Sequence, residues 1–408
     1  MSIASLKSSQ KLETPLNTRL IVWVLLFLMP LVGFAIDLIA PSLPPIAQYF
    51  HVSNKISGDL VSIYILGYGL GNFLTGFLTD AWGRKLLIRG MLIGFVLCSL
   101  LPALFPNMDF LLTMRFFQGV TLGGFAVLIR AVLSDILPAE RLVHMGTLIG
   151  TMWGLGPVIG PVIGGYLQFY FGWKAGFYFF AIVAFLGLVI VWKIIPETHH
   201  HLQPLNVKTI RKNMKEVLSN PLFVMLAVLM GLAYALIITF QTLGPFLIQT
   251  VLGHTSIFFG HLALLLGCCF LAATFLCRYL LKKKQPRQIF FGVIHVVFVV
   301  VMLGLLAGFF IKDLSQDLNL ILMIFISLVT FGCCGFLFPL SMGKGMTLFR
   351  HIQGTATAVM YLINMTITSL MSFLVTLIPL KNALPILSVD AGLMVLIVGI
   401  YWVVLSKN

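Results

Sequence analysis

Twelve apolar runs punctuate the chain, at roughly 20–39, 56–77, 86–104, 110–133, 143–167, 174–194, 222–248, 257–280, 288–311, 318–341, 352–378 and 383–405. A helix of about 20 apolar residues crosses the ~30 Å hydrocarbon core of a bilayer. Backbone surrounded by lipid must satisfy its N–H and C=O groups within its own segment, so each run is expected to be a transmembrane α-helix. The chain therefore reads as an all-α polytopic membrane protein. Composition closes the alternative: 9% of the 408 residues are charged, against roughly 25% in a soluble domain. Water-facing surfaces for two or three soluble domains cannot be assembled from so few charges.

The charges that are present are unevenly placed. A net charge of +14 on a soluble chain would suggest nucleic acid, but here the basic residues occupy short loops between apolar runs, and no nucleic-acid partner is expected. The tails and even-numbered loops hold twenty Lys and Arg, and the odd-numbered loops hold four, Lys55, Lys174, Lys312 and Lys381. The positive-inside rule then places both termini in the cytoplasm. Lys7, Lys11 and Arg19 precede the first run, and because eleven more follow it, a retained first span is favoured over a cleaved signal peptide. The longest polar segment, 196–220, lies near the midpoint and splits the spans six and six, as in carriers built from two related halves. The expected organisation is a cytoplasmic tail (1–19), a six-helix bundle (20–195), a cytoplasmic inter-half loop (196–220) with an amphipathic helix around Lys208 to Lys215, and a second six-helix bundle (221–408). The His199-His200-His201 run in that loop reads as a solvated segment rather than a metal site. All six cysteines lie in or at the ends of apolar runs without zinc-ligand spacing, and behave as small hydrophobes.

Four local patterns carry chemistry. After the second run, G-F-L-T-D-A-W-G-R-K (Gly76 to Lys85) sets an acid and two bases around a short cytoplasmic loop that bends at Gly83. Upstream, Gly67 and Gly71 are one turn apart and allow a neighbouring backbone to approach. In the fourth run, Arg115 and Gln118 share a helix face, and an arginine inside a membrane span is functional unless proved otherwise. The fifth run reads G-T-M-W-G-L-G-P-V-I-G-P-V-I-G-G. There Gly156, Gly160 and Gly164 recur every four residues, flanked by Gly154 and Gly165, while Pro157 and Pro161 remove backbone donors and bend the helix.

Asp37, in the first run, is the one carboxylate well inside an apolar run of the N-terminal half. Burying it ionised costs on the order of 2.5–3.5 kcal/mol, a penalty that falls on protonation and falls again beside Arg115. Such a carboxylate can alternate between a proton and a substrate. The alternative is that Asp37, four residues before Pro41, caps the outer end of its helix. Asp390, in the twelfth run, is a weaker candidate and is placed near the outer interface.

These patterns resemble the major facilitator superfamily, and within it the Bcr/CflA branch of drug:proton antiporters. The residues responsible are I-D-L-I-A-P-S-L-P-P-I, S-I-Y-I-L-G-Y-G-L-G, the Gly76–Lys85 segment, M-R-F-F-Q-G, the Gly-Pro repeat, I-P-E-T (195–198), L-G-P-F (243–246) and Q-G-T-A-T-A (353–358). The match covers nearly the whole chain and is tightest in the N-terminal half. It implies the major facilitator fold of twelve helices in two halves, a monomer in the cytoplasmic membrane of a bacterium, and transport driven by protons without a cofactor. It further implies that Asp37 and Arg115 form the proton-coupling site with Gln118 orienting the arginine. Gly76, Asp80, Gly83, Arg84, Lys85 and Asp135 would form a conformational latch, and the fifth-span repeat would mark an antiporter. Two departures stand out: Ala81 occupies a position that is usually basic, and C-R-Y-L-L-K-K-K-Q-P-R (277–287), the corresponding segment of the second half, has no Asp. Latching is therefore assigned to the N-terminal half.

Polar and aromatic residues within the spans are the substrate-binding candidates: Tyr64, Tyr68 and Asn72 on one helix face, with Trp153, Tyr234, Gln241 and Asn364. A largely aromatic cavity suits lipophilic or amphipathic molecules, cationic or neutral. The leading expectation is a proton-coupled exporter. A carrier dedicated to one metabolite, such as a siderophore, in either direction is the alternative. No nucleotide loop, metal cluster or nucleophile motif stands in the loops, so an enzyme is not expected.

Overall fold

The computed structural model describes residues 15–199, 202, 204–311 and 315–405. Twelve segments are helical, long and apolar enough to cross a membrane, and each coincides with one of the expected runs. The first is broken. Helix α1 (Pro15–Asp37) gives way to a 3₁₀ turn (Ala40–Ser42) and resumes as α2 (Leu43–Phe50). The span thus reaches Phe50 instead of ending at 39. Pro41 and the Pro44-Pro45 pair lack N–H groups, and a proline disfavours helical geometry at the residue before it.

Helix α3 (Asn54–Trp82) and α4 (Arg84–Leu104) are separated by Gly83 alone. The expected loop has shrunk to one residue, whose φ of +82° is strained for any side chain but hydrogen. Helix α5 (Met108–Ile136) starts at Asn107, whose Oδ1 accepts the Phe110 N–H at 3.0 Å and so satisfies one of the free donors of the first turn. The fifth span is two helices, α6 (Ala139–Gly154) and α7 (Gly156–Phe171), with the break at Leu155. The proline bend thus falls just ahead of Pro157, while Pro161 lies inside α7.

Helix α8 (Lys174–Ile194) completes the first half, and the connecting segment carries α9 (Val207–Leu218). The second half comprises α10 (Pro221–Pro245), extended by a π turn (Phe246–Val251), then α11 (Ser256–Leu280), α12 (Pro286–Ile311), α13 (Gln316–Leu348), α14 (Gln353–Val375) and α15 (Leu384–Ile400).

Within the first half α3 and α4 pack on α5, α8 on α4, and α1 on α6, α7 and α8. Within the second, α10 packs on α13, α14 and α15, while α11 and α12 pack on α13. Two of these pairings require bare backbone. A Cβ on Gly67 or Gly71 of α3 would overlap the carbonyls of Phe116 and Val120 on α5. One on Gly156 or Gly164 of α7 would overlap the backbone of Gly33 on α1 and of Leu38 just after it.

The halves meet through α3 against α14 and α7 against α11. Among the described residues five hydrogen bonds cross between them: Gln249 to the Pro41 carbonyl (3.0 Å), Ser256 to Gly165 (2.9 Å), Ser369 to Ser62 (2.7 Å), Thr376 to Asp59 (3.3 Å), and Tyr166 with His261 (3.3 Å). All five lie toward the far face, opposite the terminal face that carries Gly83 and the inter-half connection. Toward the terminal face the halves touch where Gly76 faces Ala358 and where Arg130 lies over the Tyr361 ring.

Candidate transport site

The glycine stripe of α7 brings its backbone onto α1 at Asp37: a Cβ on Gly160 would sit 3.4 Å from that of Asp37. Gly154 and Gly165 face the other way, toward Leu271 and the Ser256 carbonyl of the second half. Asp37 is the last residue of α1 and is fully buried. Neither of its carboxyl oxygens has a hydrogen-bond partner among the described residues, so it does not cap a helix end. Arg115, equally buried, is not paired with it. Its guanidinium donates to the carbonyls of Ala35 (3.3 Å) and Leu60 (3.2 Å) and to Gln118 Oε1 (3.0 Å), and lies 4.2 Å over the Tyr64 ring. Gln118 in turn donates to Ser99 Oγ at 2.8 Å. Carbonyl oxygens of Ala35 on α1 and Leu60 on α3 take the arginine.

Around Asp37 lies an aromatic cluster assembled from both halves. Tyr64 stacks on Tyr68 (6.5 Å between centroids), while Trp153 meets Tyr234 (5.8 Å) and stacks on Phe338 (5.9 Å). Tyr64 and Tyr234 are within electrostatic reach of Asp37. The Tyr68 hydroxyl neighbours the Trp153 indole and the Asn72 amide. Tyr64 Oη, Asn72 Nδ2, Trp153 Nε1, Tyr234 Oη, both amide atoms of Gln241 and Asn364 Nδ2 are buried yet make no bond of hydrogen-bond geometry among the described residues. Buried polar groups are ordinarily satisfied. Here those left without a protein partner include six of the seven side chains singled out in the sequence, with Asp37 beside them. Phe338 joins the cluster without having been anticipated, since one phenylalanine among 35 carries no signal.

Asp390 is buried too, and its Oδ1 has no partner among the described residues. It stands two turns inside the far end of α15, covered by protein. Of the histidine run, His200 and His201 lie outside the described residues, and the His199 N–H donates to Glu197.

At the terminal face Arg84 is the hub. It donates to Asp80 Oδ1 (2.8 Å), Thr79 Oγ1 (2.8 Å) and, from Nε, Asp135 Oδ2 (3.0 Å). Thr198 Oγ1 also donates to Asp135 (2.9 Å). Lys85 enters through its backbone, not its side chain: Glu197 accepts the N–H groups of Arg84 (2.9 Å) and Lys85 (3.0 Å), the free donors at the start of α4. Gly76 takes no part in these bonds. Glu197 was not anticipated, although the I-P-E-T segment held it. In the second half the matching position has no carboxylate, and the ion contact near the terminal face joins Glu216 of α9 to His351 at 2.8 Å.

Burial alone would push the Glu197 carboxyl up, but hydrogen bonds from the backbone N–H groups of His199, Arg84, Lys85 and Thr198 outweigh it and hold the pKa below the usual glutamate value. Because the folded value is depressed, this stabilisation is complete above the ordinary value of about 4.3 and falls away as pH drops through the folded one. Hydrogen exchange of residues 195–199, corrected for intrinsic rate, should accordingly rise in acid. Glu197→Gln should show the faster exchange already at neutral pH, and unchanged protection in that variant would remove Glu197 from the latch.

Two helical halves closed over a buried core of polar groups define a membrane carrier. The chain belongs to the Major Facilitator Superfamily, whose profile matches residues 25–373. It is a multi-pass secondary transporter of a small molecule, not an enzyme. An uncharacterized transporter of Rickettsia bellii (strain RML369-C) is 25% identical over 360 residues, covering 87% of this chain and 89% of that one. A bicyclomycin resistance protein homolog of Haemophilus influenzae is 28% identical over 200 residues, 48% of this chain and 50% of its own. The crystal structure of a D-xylose-proton symporter superposes with a TM-score of 0.74 at 14% identity, covering 95% of this chain and 98% of that one. The last likeness is one of fold.

Proposed function

We propose that the protein is a proton-coupled antiporter that exports small lipophilic or amphipathic compounds by alternating access, with both termini in the cytoplasm. The observation that carries this reading is the buried polar set around Asp37. Its carboxyl and the side chains of Tyr64, Asn72, Tyr234, Gln241 and Asn364 hold hydrogen-bonding capacity that no described protein group uses. A substrate meets those donors and acceptors against aromatic walls, and a proton competes with it for Asp37. Arg115, fixed by Ala35, Leu60 and Gln118, holds α1, α3 and α5 together beside that carboxyl and lies over the Tyr64 ring. Asp80, Arg84, Asp135 and Glu197 latch the terminal face of the first half, and the α7 stripe lets α1 and α7 move as one unit. A proton moving inward supplies about 2.3 kcal/mol per 100 mV. The similarity to a bicyclomycin resistance homolog favours export.

Asp37→Asn keeps the shape and removes the titratable group. In inverted vesicles it should abolish flux driven by a pH gradient while leaving exchange of substrate across the two sides. Undiminished pH-driven flux in that variant would refute the assignment of Asp37.

A further inference from the structure

Among the charged side chains on the inner faces of the first-half spans, Arg130 has no role in the reading above. It stands on α5, fifteen residues after Arg115, roughly 22 Å further along the helix at 1.5 Å per residue. It is half-buried, and its guanidinium lies 5.0 Å over the ring of Tyr361 on α14. Arg130 and Tyr361 both come within electrostatic reach of Tyr68, the hydroxyl that neighbours Trp153 and Asn72. Arg130 therefore ends the aromatic cluster on its terminal-face side, at the seam between the halves.

Its bonding sets it apart from Arg84, Arg89 and Arg115 of the first-half spans. Arg84 has two carboxylates, Arg89 the Trp192 carbonyl, and Arg115 two carbonyls and an amide. For Arg130 the described contact is an aromatic face, and no hydrogen bond or ion pair to it is found among the described residues. A guanidinium offers five N–H donors in a planar fork suited to two oxygens of one carboxylate. Snorkelling to the terminal face does not account for it. Side chains on a helix lean toward its N-terminus, which for α5 points away from that face. Arg115, Arg130 and, at the far end, Lys55 stand against Asp37 and Asp59 and leave this path positive whichever way Asp37 is protonated. That field opposes a cationic ligand and favours an anion.

We propose that Arg130 receives an anionic group of the substrate, and that the substrate is an amphipathic organic acid with its carboxylate on Arg130 and its apolar body against Tyr68, Trp153 and Tyr361. This rests on the reading of the aromatic cluster as the substrate path, and narrows its substrate class.

The test uses the purified full-length protein and two matched sets: phenylacetate, phenylacetamide and phenethylamine, and naphthylacetate, naphthylacetamide and naphthylethylamine. Binding is measured by equilibrium dialysis, and flux of the same compounds in proteoliposomes with and without a pH gradient. Each acid should bind more tightly than its amide and amine. Arg130→Gln should weaken the acids about ten- to a hundredfold, the loss expected for a hydrogen-bonded charge pair, and leave the amides unchanged. Arg130→Lys, which keeps the charge without the fork, should fall between, and guards against misfolding of the first variant. Acids that bind no better than amines, acids insensitive to Arg130→Gln, or a lack of binding by either acid would overturn the proposal. If the Arg130-dependent acid preference holds but no flux follows the pH gradient, the antiport reading fails and this one stands. Gradient-driven flux that prefers the amines is the reverse case.

Discussion

Alanine at both Gly67 and Gly71 is expected to leave almost no folded protein in the membrane. The added methyl groups would overlap the Phe116 and Val120 carbonyls of α5, and those oxygens belong to helix backbone that no rotamer change can withdraw. The α3–α5 pair must then separate along its length. Overpacking costs roughly 1–3 kcal/mol per site when side chains can yield, and backbone yields less. The control is Gly90→Ala together with Gly292→Ala, two helix-interior positions where a Cβ meets nothing within 4 Å. Those should be neutral or stabilising by about 0.5–1 kcal/mol. Monodisperse yield in detergent and thermal midpoint measure both pairs, and a double Gly67/Gly71 variant as stable as its control would contradict the described packing.

The second large effect is expected at Arg115. Its guanidinium ties α5 to α1 through Ala35, to α3 through Leu60, and to Gln118 on its own helix. Bonds to a charged group contribute about 1.5–3 kcal/mol each. Lysine keeps the charge but is a compact ammonium that does not reproduce the fork, so Arg115→Lys should lower the thermal midpoint sharply and abolish transport. Gln118→Leu, which removes one acceptor and leaves the two carbonyls, should do much less. Wild-type flux in Arg115→Lys would show that the positive charge alone suffices and that the described geometry is immaterial.

The twelve spans were legible because apolar length is a direct physical requirement of the bilayer, and the cavity candidates because polar groups are costly in such helices. Where the reading failed, the reason was rotation or context. Pro41 signalled a break, but not that the chain resumes as helix after the 3₁₀ turn from Ala40 to Ser42 and carries the first span on to Phe50. The connection after α3 read as a loop because it is polar, yet it is helix on both sides of Gly83. Glu197 looked like any solvated carboxylate, since its four N–H partners are backbone groups and backbone leaves no mark in sequence. Lys85 was taken as a charge where only its amide is used. Phe338 was invisible for a different cause: aromatic residues are so frequent in this chain that packing and ligand contact look alike.

The seam at the far face has a consequence for how the protein can be tuned. Its five described bonds fall at three places, two between α3 and α14, two between α7 and α11, and one from Gln249 to the turn after α1, and each is a single contact worth about 0.5–1.5 kcal/mol in net terms. Such a closure behaves as a graded dial whose contacts can be loosened one at a time. Removing Gln249 or Ser369 moves the population of the closed form several-fold and leaves the other four contacts intact, so natural variation at these positions can reset the resting conformation without touching Asp37 or Arg115.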